Sequence, residues 1–271
     1  KIVFLCASAI ASSSILMQSK SKRFPNGMGN DSGELGHNIM DHQLGSGASG
    51  SFDGFHDKYY TGRRPNGFYI PRFRNIDKNS KKVNFLRGYG YQGGASRTYW
   101  SDSVAELSYG ADFKDKITQA GEWRIGMGGF GEVLPYHENK MTLNYNKLDQ
   151  FGLPKISLDA EFKENEKKMK EDWKIQAAEM LESAGCKDVK IFDSNAPIGK
   201  GIHEMGTARM GHDPKTSVLN KYNQVHSVPN VFVTDGAFMS SSGTQNPSLT
   251  YMAFTARAVN HAVTELKKMN L

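Results

Sequence analysis

The two ends of this sequence share a hydrophobic pattern that its middle lacks. Ile2-Val-Phe-Leu-Cys6 and Val231-Phe-Val-Thr234 are short, nearly continuous apolar runs. A run without polar alternation marks a strand buried on both faces, as in a parallel sheet. Between residues 58 and 150 the pattern changes. Short apolar and aromatic pieces, such as GFYIPRF, KVNFLRGYGYQG, EWRIGMGGFGEVL and MTLNYN, are cut by turn signals, with alternation at Phe68 and Ile70 and at Val83 and Phe85. That is the signature of a mainly antiparallel sheet. We therefore expect an α/β (α+β) chain in which strands 2–6 and 231–234 share one parallel-type sheet. Residues 65–145 are expected to form a separate antiparallel sheet, so that the ends belong to one domain and the middle to another.

Helices are placed by spacing. Phe162, Met169, Trp173, Ala177, Met180, Leu181 and Ala184 recur at helical intervals within 159–184, with Gly185 as the C-terminal stop. A strand is expected at Lys187–Phe192. A final helix is predicted from Pro247 to about Lys268, with Asn246 as N-cap. A helix follows the first strand through Ile15-Leu-Met17. Residues 20–57 and 195–230 read as loops, with one short helical or extended piece in GELGHNIMDHQ.

Composition excludes several classes. With 38% hydrophobic residues the 271-residue chain can build a core, so wholesale disorder is out. No apolar run reaches 18 residues, so no membrane span is expected. The net charge of +6 is scattered rather than laid in a stripe with aromatics, which argues against nucleic acid as a partner. Two cysteines, Cys6 and Cys186, cannot make a disulfide scaffold and read as free buried thiols. The sequence opens on Lys1 within a strand, as a segment of a longer protein would, and localisation stays open between a bacterial cytoplasm and periplasm.

Three stretches fit G-x-G-x-x-G, beginning at Gly45, Gly88 and Gly126. None has both a strand before it and a helix after it, as a dinucleotide fingerprint requires. Among eight histidines there is no H-E-x-x-H pair, and His37 and His42 do not share a helix face, so no metal site is expected. No G-x-S-x-G elbow is present. The last 70 residues are more informative. They contain His203-Glu-Met-Gly-Thr-Ala-Arg-Met-Gly211, then Asn230-Val-Phe-Val-Thr-Asp235-Gly236, then Gly243-Thr-Gln-Asn246-Pro247-Ser248-Leu-Thr250 opening the last helix.

That order resembles the glucose–methanol–choline (GMC) flavin oxidoreductases. Asn30-Asp-Ser-Gly-Glu-Leu-Gly-His-Asn-Ile-Met-Asp-His42, Glu132-Val-Leu-Pro and Gly152-Leu-Pro have counterparts there too, as does the opening strand–turn–helix, although Ser8 and Ala11 stand where glycines are commoner. The resemblance implies the C-terminal portion of such an enzyme, most similar to sugar-oxidising members of the pyranose-oxidase and glucoside-dehydrogenase type. Residues 1–50 would then be part of a Rossmann-like FAD-binding domain, 51–194 the substrate-binding domain, and 195–271 a return to the FAD-binding domain. The implied partners are a sugar or glycoside substrate, the N-terminal portion of the same enzyme, and a small partner subunit or electron acceptor.

The resemblance also implies roles for individual residues. His203 would be the base that takes the hydroxyl proton, because imidazole titrates near neutrality. Asn246 would grip the same hydroxyl oxygen, a task that competes with capping the helix. FAD would be contacted by Ala7, Ser8, Asp235, Gly236, Asn246, Pro247 and Ser248, the last through helix-terminal N–H groups that favour negative charge. Tyr69, Tyr89, Tyr91, Tyr99 and Trp100 would suit packing against a pyranose. The alternatives are a GMC enzyme acting on a non-sugar alcohol and a non-catalytic module that keeps the fold.

Overall fold

The computed structural model of the protein describes residues 2–58, 67–82, 84–98, 109–118 and 121–271. Its packing divides the chain into two units, each assembled from separate segments. The first comprises Lys1–His42, Glu132–Lys163 and Pro197–Leu271, and the second Gln43–Gly131 and Glu164–Ala196. The division differs from the expected boundaries at 50 and 194 chiefly in residues 132–163, which pack with the chain ends.

In the first unit, β1 (Val3–Leu5) runs parallel to β10 (Val228–Val233), with Val3 opposite Val231 and Leu5 opposite Val233. β9 (Gln224–Val225) adds an antiparallel edge. The two apolar end runs thus share a parallel pair as expected, but β1 is not buried on both faces, since Val3 is exposed. Helix α1 (Ala9–Gln18) follows β1 and buries Ala9, Leu16 and Met17 with Val231, Val233 and Phe238. It also buries Ser12, Ser13 and Ser14. Such small polar side chains let loops approach the helix closely. Helix α4 (Ser248–Lys267) closes the chain, and its buried Ala258 and Ala262 cluster with Phe232. A hairpin of β6 (Lys140–Leu148) and β7 (Pro154–Asp159) belongs to this unit as well.

The second unit is a five-stranded antiparallel sheet in the order β3-β4-β5-β2-β8. Its strands are β2 (Ser46–Phe52), β3 (Gly67–Ile70), β4 (Tyr89–Arg97), β5 (Trp123–Gly131) and β8 (Lys187–Asp193). Helix α2 (Ala111–Thr118) is short, and α3 (Glu164–Ser183) covers the sheet. The apolar stripe of α3 is buried as its spacing predicts, with Met169, Trp173, Ala177 and Leu181 in the core. Trp173 lies so close to β5 that a Cβ on Gly129 would approach its ring to 2.7 Å. Its indole N–H donates to Ser46 Oγ at 3.0 Å.

Four expectations need correction. β2, read as loop, lies inside the sheet between β5 and β8, because Gly and Ser there allow close approach of neighbouring backbone. β6 pairs with β7 rather than joining the sheet of residues 65–145. The expectation of two buried thiols fails, since Cys6 is exposed and Cys186 only half-buried. Tyr89 and Tyr91 are core residues with no exposed surface, not sugar platforms. The Tyr89 hydroxyl donates to Asp172 Oδ2 at 2.5 Å and the Tyr91 hydroxyl to the Trp173 carbonyl at 2.6 Å. Burial pushes the Asp172 carboxyl up, but hydrogen bonds from Arg74 and Tyr89 outweigh it and hold the group below the usual carboxylate range. Tyr69 is 42% exposed on β3, while Tyr99 and Trp100 lie outside the described residues.

Candidate active site

The His203 segment is placed by the elements on either side of it. Residues 206–210 run beside the short 3-10 helix at Gly236–Phe238: Gly206 N–H donates to Gly236 O at 3.1 Å, Ala208 N–H to Ala237 O at 3.1 Å and Met210 N–H to Phe238 O at 2.9 Å. On the other side lies the extended stretch 36–41. Met40 and Met205 exchange two 2.9 Å backbone bonds, Gly36 N–H donates to Thr207 O, and Thr207 N–H donates to His37 O. Helix α1 fixes the same segment from below, with Ser13 Oγ donating to Thr207 Oγ1 at 2.8 Å. The glycine of H-x-x-G-T is required sterically. Gly206 has φ +90, and a Cβ there would run into the Asn38 carbonyl oxygen.

Asp41 and His42 bind this segment to the site, and neither was assigned a role from sequence. The Asp41 carboxylate is fully buried and accepts four backbone N–H groups. These come from His42 at 2.7 Å, Gly199 at 2.8 Å, Gly201 at 2.8 Å and His203 at 3.2 Å. One side chain therefore anchors both ends of the turn before His203. That turn carries strain: Ile202 has φ +52, rare for a β-branched residue, and its side chain is 80% exposed. Strain of this kind persists where surrounding contacts over-determine the backbone.

The His203 ring has two neighbours. Its Nδ1 lies 2.8 Å from Nδ1 of His42, and its Nε2 lies 3.5 Å from Nδ2 of Asn246. The His42 Nε2 lies 2.6 Å from the Gly243 carbonyl oxygen. Burial holds the His203 imidazole below its ordinary titration range, and the charges of Asp41 and Glu204 offset part of that effect. The structure thus brings His203 and Asn246 together at the start of α4. Pro247 rather than Asn246 occupies the N-cap position, and the helix begins at Ser248 rather than Pro247.

Asp235 serves its own loop. It accepts from Ala237 N–H at 3.0 Å, capping the 3-10 helix, and from Ser12 Oγ on α1. Burial raises its carboxyl pKa, and these hydrogen bonds pull it back only in part. Ala7 and Ser8 are exposed where β1 meets α1, and Ser8 has φ +82. Ala7 N–H donates to Ser12 Oγ at 3.1 Å.

The donor chemistry fits an anionic dinucleotide cofactor. Two helix N-termini, of α1 beside Ala7 and Ser8 and of α4 beside Asn246 and Ser248, present first-turn N–H groups that lack acceptors within their helices. No fingerprint loop accompanies them. No helix among the described residues is long and apolar enough to cross a membrane.

Comparison with known proteins identifies the family. Residues 135–255 match the family model for GMC oxidoreductase. The chain is 31% identical over 270 residues to 2-methyl-1,2-propanediol dehydrogenase of Mycolicibacterium austroafricanum, covering 95% of this chain and 47% of that protein. It is 27% identical over 271 residues to the fructose dehydrogenase large subunit of Gluconobacter japonicus, covering 99% and 48% respectively. The solved structure of a formate oxidase from Aspergillus oryzae shares the fold, with a TM-score of 0.62 at 16% identity over 99% of this chain and 55% of that one. The chain spans about half the length of the curated relatives it matches. It belongs to the GMC oxidoreductases, and residues 135–255 carry the family's C-terminal domain.

Proposed function

We propose that these residues form the catalytic portion of an FAD-dependent oxidoreductase that converts a sugar hydroxyl to a ketone, with His203 as the base. The observation that carries this reading is the meeting of His203 Nε2 and Asn246 Nδ2 at 3.5 Å beside the N-terminus of α4. When bound, FAD would supply the acceptor for the hydride leaving the substrate carbon. Everything else falls to the chain. A lowered imidazole pKa keeps His203 neutral, hence able to take the hydroxyl proton, across the neutral range. Asn246 adds a second polar group aimed at the same point, so one oxygen is gripped from two sides and its C–H bond is oriented. The N–H groups at the start of α4, Ser248 among them, favour negative charge at that spot. Ala7, Ser8 and Gly236 would lie beside the phosphate-bearing part of the cofactor, with Asp235 ordering their loop.

The fructose dehydrogenase relative supports a sugar as substrate. The diol dehydrogenase relative favours a second reading, a small vicinal diol. A large subunit implies an associated one, so a small partner subunit or external electron acceptor is part of the proposal. The test is stopped-flow reduction of FAD in the complete enzyme with a panel of free sugars, glycosides and 1,2-diols. His203→Ala should slow reduction by about 10²–10⁴-fold with little change in KM. Wild-type rates in that variant with every substrate would remove His203 from the chemistry.

A further inference from the structure

The hydrogen bonds around His203 have a direction. The Gly243 carbonyl can only accept, so the His42 ring must carry its proton on Nε2, 2.6 Å away. A neutral His42 with Nε2–H has a bare Nδ1, which can only accept. Its neighbour at 2.8 Å is His203 Nδ1, which must therefore be the donor. A neutral His203 with its proton on Nδ1 has a bare Nε2, and that nitrogen faces the amide group of Asn246. Burial holds the His42 imidazole below its ordinary range, which keeps it in the neutral form that the chain of bonds requires.

We propose that His42 is a positioning residue that fixes the tautomer of His203, leaving Nε2 unprotonated and so able to accept the substrate proton. The inference rests on the reading of His203 as the base. His42 acts as a latch rather than a shuttle. A proton arriving at His203 Nε2 makes an imidazolium whose Nδ1–H still donates to His42. That bond becomes charge-assisted and shorter as the proton transfers. Onward transfer leads nowhere, because the line of bonds ends at a backbone carbonyl. The His42–His203 bond is thus stronger in the transition state than before it, which raises turnover rather than substrate affinity. Asp41 reinforces the arrangement by accepting the backbone N–H of both histidines.

The test uses the complete FAD-loaded enzyme in two measurements. In the first, nitrogen NMR of the protein labelled at histidine reads which ring nitrogen of His203 bears the proton. Protonated Nδ1 and bare Nε2 are expected, and the reverse overturns the proposal whatever the kinetics. In the second, flavin reduction is compared in His42→Ala and His42→Asn. An Asn carbonyl can occupy the place of His42 Nδ1 and accept the same bond. His42→Ala should slow reduction by about 10-fold with KM unchanged, the worth of one hydrogen bond at about a factor of ten per 1.4 kcal/mol. His42→Asn should recover most of that rate. Equal slowing in the two variants, or a change confined to KM, makes His42 merely structural and overturns the proposal. If His42→Ala fails to fold, the NMR readout and the Asn variant still decide. Failure of the base reading looks different: His203→Ala would then reduce its flavin at the wild-type rate.

Discussion

Asp41→Asn is the perturbation whose outcome follows most directly from the geometry. The substitution keeps the shape of the side chain and exchanges one acceptor oxygen for an NH₂ group. In the native protein Oδ1 takes the N–H groups of His42 and His203, and Oδ2 those of Gly199 and Gly201. The Asn oxygen can serve one pair, and its NH₂ group then faces the other two donors. Each buried donor left without an acceptor costs about 1–3 kcal/mol. Two such donors, with some relaxation of the exposed turn around Ile202, give a loss of about 3 kcal/mol. That corresponds to a fall in Tm of roughly 6–12 °C for a protein of this size. Amide hydrogen exchange gives the local reading: at about 1.4 kcal/mol per factor of ten, the pair left without an acceptor, with the two glycine amides the more readily followed beside the exposed turn, should exchange roughly 100-fold faster. Unchanged exchange at both glycines, together with an unchanged Tm, would refute the idea that one carboxylate holds the turn.

Three further outcomes are expected. His203 must be neutral to accept a proton and its titration lies below the ordinary value of 6.5, so kcat/KM in the complete enzyme should stay level near neutrality and fall only as pH drops through a point below 6.5; a midpoint above 7 contradicts the assignment. Trp173→Ala empties the centre of the second unit's core and strands Ser46 Oγ, so urea unfolding should report a loss of about 4 kcal/mol, and a loss below 1 kcal/mol would mean that the core is organised elsewhere. Lacking a fingerprint loop, residues 1–271 alone should not retain FAD, and a stoichiometric yellow complex after gel filtration would contradict this.

What could be read from the sequence was what its local chemistry determines. The pairing of the two end strands followed from unbroken apolar runs, and helix α3 from the spacing of Met169, Trp173, Ala177 and Leu181. His203 and Asn246 stood out by the order of the motifs around them. β2 was hidden because SGASGSF has no apolar alternation; it is a strand because small residues are what its neighbours admit. Tyr89 and Tyr91 carried opposite possibilities in the same letters, and Asp172, 83 positions beyond Tyr89, decided for the core. Asp41 and His42 were invisible for a similar reason. Their partners lie some 160 and 200 positions away, so nothing in the local pattern announced that a buried carboxylate and a second imidazole would meet there.

The pairing of β1 with β10 also has a consequence in time. Val3 and Val231 are 228 positions apart, so β1 waits for its partner until the residues between them have been made. At about 5–20 residues per second of synthesis that interval is roughly 10–45 s. Meanwhile an apolar segment, Ile2–Cys6, is present without its parallel neighbour, in the company of nascent chain and ribosome. Elongation slowed by rare codons lengthens this exposure, and a chaperone bound to Ile2–Cys6 protects against it.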